Sequence, residues 1–128
     1  MNTILVVDDE RQICQMVATA LGGKAFSVLT ASSGAEAIAV SRSCAGGVDL
    51  LLTDLEMPGM NGVALARELR ATSPGIPVIV ISGSWDPAIL QLPQPAEFVS
   101  KPFSVAQLVA LAHTMASPID RRLSSIMG

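Results

Sequence analysis

Cysteine is scarce in this chain of 128 residues, with only Cys14 and Cys44. Two cysteines are too few for a disulfide framework, and no zinc-type spacing surrounds them. They are expected as small buried or half-buried thiols in a reducing cytoplasm. Charge is scarce too: 15% of the residues are charged and the net charge is −3, so there is no basic excess to attract nucleic acid. There is no long apolar run. The least charged stretch, 102–119, is broken by Ser, Gln, His and Pro and is too polar for a membrane span. Acidic residues arrive by position 8, which argues against a signal peptide. No internal repeat, low-complexity tract, second domain or effector domain is evident. What remains is a soluble, cytoplasmic, globular chain of one-domain size, half of it hydrophobic.

Strand and helix patterns alternate along it. "TILVVD" (3–8), "FSVLTA" (26–31), "VDLLLTD" (48–54), "PVIVIS" (77–82) and "EFVS" (97–100) read as strands. A first helix carries Ile13, Met16, Val17, Ala20 and Leu21 at helical spacing and ends at Gly22 and Gly23. Ser33 and Glu36 form a capping box for a second helix, 34–44. Leu65, Ala66 and Leu69 mark a third, which stops before Pro74. A last helix, 104–117, carries Val105, Leu108, Val109, Ala112 and Met115 on one side. Strands one, three and four are nearly continuous apolar runs, the mark of strands covered on both faces. The expectation is an α/β fold, a doubly wound parallel sheet of five strands.

The first strand runs straight into Asp8, Asp9 and Glu10. Two unit charges ~4 Å apart repel by roughly 4 kcal/mol at an effective dielectric near 20, so the acids must be solvated, protonated or neutralised. In an open parallel sheet, ligands bind beyond the carboxyl ends of the strands. Asp8 and Asp9 end strand one, Asp54 ends strand three, Ser82 ends strand four and Lys101 follows strand five. Three carboxylates in one crevice make a hard-oxygen site suited to Mg²⁺. A metal-flanked aspartate can act as a nucleophile and form an aspartyl phosphate, and phosphoryl transfer needs mainly alignment and charge neutralisation. Lys101 supplies a second positive charge, and Ser82 a hydroxyl.

"VVDDE", "LLLTDLEMPGMNG", "VIVISG" and "FVSKPF" resemble, in order and spacing, the motifs of the response-regulator receiver domain of two-component signalling. The resemblance covers about residues 3–117, with 118–128 left as a tail or linker start. It implies a flavodoxin-like strand order 2-1-3-4-5. It implies that Asp54 is the phosphoacceptor for a histidine kinase or phosphotransfer protein. It implies that Asp9, Asp54 and the backbone carbonyl of Glu56 hold Mg²⁺ directly, with Asp8 acting through water. Lys101 would pair with the phosphoryl group, Ser82 and Phe98 would form the switch pair, and the Lys101–Pro102 bond would be cis. The family's output surface is the 4-5-5 face, made by the fourth helix, the fifth strand and the fifth helix. It would control a partner or output domain that the sequence does not name. Neither direct nucleic-acid binding nor membrane contact is implied.

The chain departs from the family pattern in "GSWDPAILQLPQPAEF" (83–98), where Pro93 and Pro95 leave at most 87–92 helical. The fourth helix is therefore expected to be shortened, and 83–95 to sit at the low-stability end of the domain. Glu56 reads equally as a solvated loop acid or as a functional neighbour of the phosphoryl site. Trp85 is expected as a core anchor, with an exposed contact as the alternative, and His113 as a surface residue. Two other functions compete. "DLE" (54–56) faintly resembles the paired acids of aspartyl-phosphate phosphatases, which turn over small phosphate esters. A phosphorylation-independent interaction module is the other, though its usual sign, a lost acid or lysine, is missing.

Overall fold

Period-two patterning sends alternate side chains of each central strand to opposite faces of one sheet. The structure, a computed structural model, describes residues 2–22 and 26–116, except for the side chain of Leu90. Its strands are β1 (Asn2–Val7), β2 (Phe26–Ala31), β3 (Leu50–Asp54), β4 (Val78–Ser82) and β5 (Ala96–Ser100). All pairings are parallel and the order is β2-β1-β3-β4-β5. This is the doubly wound, flavodoxin-like sheet expected. The helices are α1 (Arg11–Gly22), α2 (Gly34–Ser43), α3 (Gly62–Thr72) and α4 (Val105–Ala116).

Leu5, Val7, Leu51, Val78 and Val80 face one side, where Ala37 of α2 and Leu65, Ala66 and Leu69 of α3 cover them. Ile4, Val6, Leu50, Leu52, Ile79 and Ile81 face the other, under Val17 and Leu21 of α1 and Leu108 and Ala112 of α4. β3 and β4 are buried at every position, as continuous apolar runs require. Each fully buried Leu or Ile contributes roughly 1.5–3 kcal/mol, so the central strands fix the register of the domain.

Local chemistry sets the helix ends. The Ser33 hydroxyl accepts from the Glu36 N–H at 3.1 Å, and the Glu36 carboxylate accepts from the Ser32 N–H at 3.0 Å, one residue earlier than a capping box would place it. Asn61 caps α3 through the Ala64 N–H at 2.8 Å, and the Ser104 hydroxyl accepts from the Gln107 N–H at the start of α4.

α1 differs from expectation. Met16 is exposed and Cys14 is buried, so the buried stripe is Cys14, Val17 and Leu21, turned slightly from the predicted one. Cys44 is half-buried and both thiols are free. Between β4 and β5 there is no fourth α-helix. Pro87–Gln91 forms a single 3-10 turn, capped by Asp86. The turn seats Ile89, and Leu92 follows it into the core. The peptide bonds Gln94–Pro95 and Lys101–Pro102 are cis. The tail 118–128, Ser117 and Gly23 lie outside the described residues.

Candidate functional site

The strand order changes direction between β1 and β3, and open α/β sheets bind ligands at such a point, beyond the carboxyl ends of the strands. Asp8 and Asp9 leave β1, and Asp54 closes β3. Each of the three offers a carboxylate oxygen, and these oxygens all lie within 4.8 Å of one another. Asp8 and Asp54 are buried, while Asp9 is exposed. One oxygen of Asp8 is engaged by the Glu10 N–H at 2.8 Å. Lys101 arrives from beyond β5, held beside β4 by its N–H on the Ser82 carbonyl at 2.8 Å. Its Nζ stands 3.2 Å from Asp54 Oδ1. Oδ1 is thus a buried carboxylate oxygen whose partner is the Lys101 ammonium.

Burial pushes the carboxyls of Asp8 and Asp54 above the usual aspartate range, and neighbouring carboxylates add to that push. For Asp54 the Lys101 ammonium opposes the shift without cancelling it. Burial alone would lower the Lys101 ammonium, but its contact with Asp54 and the charges of Asp54, Asp8 and Glu10 outweigh that and raise it. A divalent cation with oxygen preference fits these residues. Two desolvated acids and a third exposed one within reach set three carboxylates against the single ammonium of Lys101, a donor set short of positive charge.

Two further features position Asp54. The carbonyl of Asp54 lies so close to Gly62 that a Cβ there would approach it to 2.5 Å. The Gly62 N–H donates to the Leu55 carbonyl at 2.9 Å, tying the first turn of α3 to the end of β3. Gly59, with φ +83, lets the intervening loop turn back in a conformation that L side chains rarely adopt.

The family is decided by comparison with known proteins. The sequence pattern of the response regulator receiver domain matches residues 4–113. The chain belongs to the response-regulator receiver family. The receiver is 37% identical to the sensor kinase CckA of Brucella abortus over 92% of this chain and 13% of that protein. It is 37% identical to the DNA-binding response regulator MtrA of Mycolicibacterium smegmatis, over 84% of this chain and 47% of that protein. The receiver thus spans half or less of the curated relatives it matches here. A crystal structure of a receiver domain protein from Clostridium thermocellum is 31% identical with a TM-score of 0.82, covering 98% of this chain and 99% of that one. The response regulator protein TrrA of Thermotoga maritima, solved in complex with Mg²⁺ and BeF, is 28% identical with a TM-score of 0.76, covering 90% of this chain and 99% of that one. Receiver domains in general accept phosphoryl groups in two-component signalling and bind Mg²⁺ at an acidic pocket. Among the described residues of this one, no helix is long and apolar enough to cross a membrane.

The remaining residues of the receiver fall as follows. Ser82 is fully buried at the end of β4, and its hydroxyl lies 2.6 Å from the Glu56 carboxylate. Phe98 is half-buried on β5 and packs against the core. Trp85 corrects the expectation of a core anchor. It is 53% exposed and stands edge-on to Phe98, ring centres 5.2 Å apart and planes at 84°. The loop leaving β4 carries it outward, because no helix follows to fold it in. His113 is exposed on α4, its ring 4.8 Å from that of Phe26. The sequence reading missed Arg70. Its guanidinium donates to the carbonyls of Ile76, Pro93 and Pro95, fastening the prolyl segment to α3. The only hint in the sequence is a basic residue in the last turn of a helix, and that does not reveal its partners.

Proposed function

We propose that this receiver takes a phosphoryl group on Asp54 from the phosphohistidine of a kinase or phosphotransfer protein, and that the modified site biases the surface around β5 toward a partner or output domain. A carboxylate oxygen of Asp54 bonds to phosphorus as the P–N bond to imidazole breaks, and the imidazole leaves with the electron pair. The observation that carries the reading is the buried Asp54 carboxylate, its Oδ1 3.2 Å from the Lys101 ammonium, beside two more carboxylates. A carboxylate at the end of β3 supplies the attacking oxygen, and the ammonium beside it is placed to pair with incoming phosphoryl oxygens.

Asp9, Asp54 and the backbone carbonyl of Glu56 would hold Mg²⁺, with Asp8 one water away. When bound, the ion neutralises the acids and the developing phosphoryl charge. Lys101 orients the phosphoryl group from the opposite side. Ser82 offers a hydroxyl to it, and Phe98 follows the rearrangement of Ser82. The chain is a signalling phosphoacceptor, whose only chemistry is on itself. Two free cysteines suit a cytoplasmic setting.

Incubation with acetyl phosphate and Mg²⁺ tests this by intact mass. The wild type should gain one phosphoryl group, and the gain should vanish with a chelator. Asp54→Asn should gain none. Uptake by Asp54→Asn at the wild-type rate would refute the assignment. Turnover of small phosphate esters without a stable acyl phosphate would favour a phosphatase instead.

A further inference from the structure

The Glu56 side chain belongs to neither the acid cluster nor the core. It is exposed, yet it is clasped by the loop that leaves β4. Ser82 Oγ lies 2.6 Å from Glu56 Oε1 and 2.7 Å from the Ser84 carbonyl, and it accepts from the Ser84 N–H at 3.1 Å. The Ser84 hydroxyl reaches the same carboxylate oxygen at 3.4 Å. The segment after β3 is thus joined to the segment after β4 through one acid.

We propose that Glu56 is a positioning residue that holds the Ser82 hydroxyl in a resting arrangement and thereby sets how readily the site accepts a phosphoryl group. The proposal rests on the phosphoacceptor reading above. A serine hydroxyl has one proton to give. A carboxylate is the stronger of the two acceptors near it, since hydrogen bonds to ionised acceptors are about twice as strong as neutral ones. Ser82 therefore donates to Glu56 in the resting chain, and it must release Glu56 before it donates to a phosphoryl oxygen on Asp54. A second effect has the same sign. A phosphoryl group carries a charge of about −1.5 to −2 at neutral pH, and it arrives near the Glu56 carboxylate. Because Glu56 is exposed, water solvates it once released. The latch therefore tunes the switch and does not block it.

Beryllofluoride titration at saturating Mg²⁺ separates the two effects, with bound ¹⁹F NMR and Trp85 fluorescence as readouts. Four proteins are compared: wild type, Glu56→Ala, Ser82→Ala and the double variant, each confirmed folded by circular dichroism. Glu56→Ala should bind beryllofluoride about tenfold more tightly than wild type, the worth of one hydrogen bond to a charged group. In the Ser82→Ala background, where there is no hydroxyl to hold, the same substitution should gain about twofold or less, the part due to charge alone. Equal affinity of wild type and Glu56→Ala would overturn the latch. An equal gain in both backgrounds would overturn it too, leaving only long-range repulsion. A wild type that binds no beryllofluoride at all would overturn the phosphoacceptor reading, and the latch with it.

Discussion

At the residue scale, the acids of the crevice answer pH with opposite signs. Asp8 and Asp54 have folded-state pKa values raised by burial. The folded chain therefore binds their protons more tightly than the unfolded chain does. Their contribution favours the fold at acid pH and is lost as pH rises through the raised values. Glu56 is held below the usual glutamate range by its hydrogen bond with Ser82, so its contribution is present at neutral pH and is lost as pH falls through the lowered value. Asp8→Asn retains an oxygen for the Glu10 N–H and removes a desolvated charge. Without Mg²⁺ at neutral pH it should stabilise the chain by about 1 kcal/mol, raising Tm by ~3 °C, and the gain should shrink toward acid pH. It should also reduce the rise in Tm that Mg²⁺ confers on the wild type. Thermal unfolding across pH, with and without Mg²⁺, checks all three; a destabilised Asp8→Asn with a full Mg²⁺ response would contradict the charge argument. The identities of Asp8, Asp9, Asp54, Ser82 and Lys101 were readable because each stands at a strand end, where chain position alone fixes its place. The partner of Ser82 was not readable, because the conformation of the loop bearing Glu56 follows from no periodicity.

At the element scale, α3 does two jobs. Its first residue, Gly62, packs against the carbonyl of Asp54, and Gly62→Ala would drive a methyl into backbone. Overpacking of that kind costs roughly 1–3 kcal/mol. The variant should therefore unfold several degrees lower and take up phosphoryl groups more slowly, because Asp54 moves with its carbonyl. Unchanged Tm and rate would show that the contact relaxes freely. The last turn of α3 supplies Arg70, which joins the Ile76 carbonyl to those of Pro93 and Pro95 in the prolyl segment, while Arg67 reaches Gln91 at 3.0 Å. That segment was expected to be weakly held for want of a helix. The structure gives it buried Ile89 and Leu92 and an arginine clasp in place of helical hydrogen bonds. Arg70→Ala should cost about 1–2 kcal/mol, with the loss of hydrogen-exchange protection confined to 87–96. Equal protection in the variant would show that the apolar contacts suffice. Pro93 and Pro95 pointed from sequence to a shortened fourth helix, and the structure reduces it to a single 3-10 turn. What replaces it depends on a side chain more than twenty residues away, which local pattern does not reach.

At the scale of the whole molecule, the sheet brings together groups that are far apart in sequence, from Asp8 to Lys101, and leaves them deficient in positive charge. The parallel sheet and both apolar layers were legible because β3 and β4 are apolar at nearly every position and the helices keep a 3.6-residue period, whereas the strand order was implied only by the resemblance to the receiver family. Trp85 was misjudged because a large aromatic is usually buried, and only the outward course of its loop puts it in solvent beside Phe98. The central claim is that this arrangement selects one carboxylate, Asp54, among four neighbouring acids. The most direct test is to phosphorylate the wild type with acetyl phosphate and Mg²⁺, reduce the acyl phosphate with borohydride and map the reduced residue by peptide mass spectrometry. The account predicts a single reduced position, Asp54. Reduction at Asp8, Asp9 or Glu56, alone or alongside Asp54 in comparable yield, would contradict it.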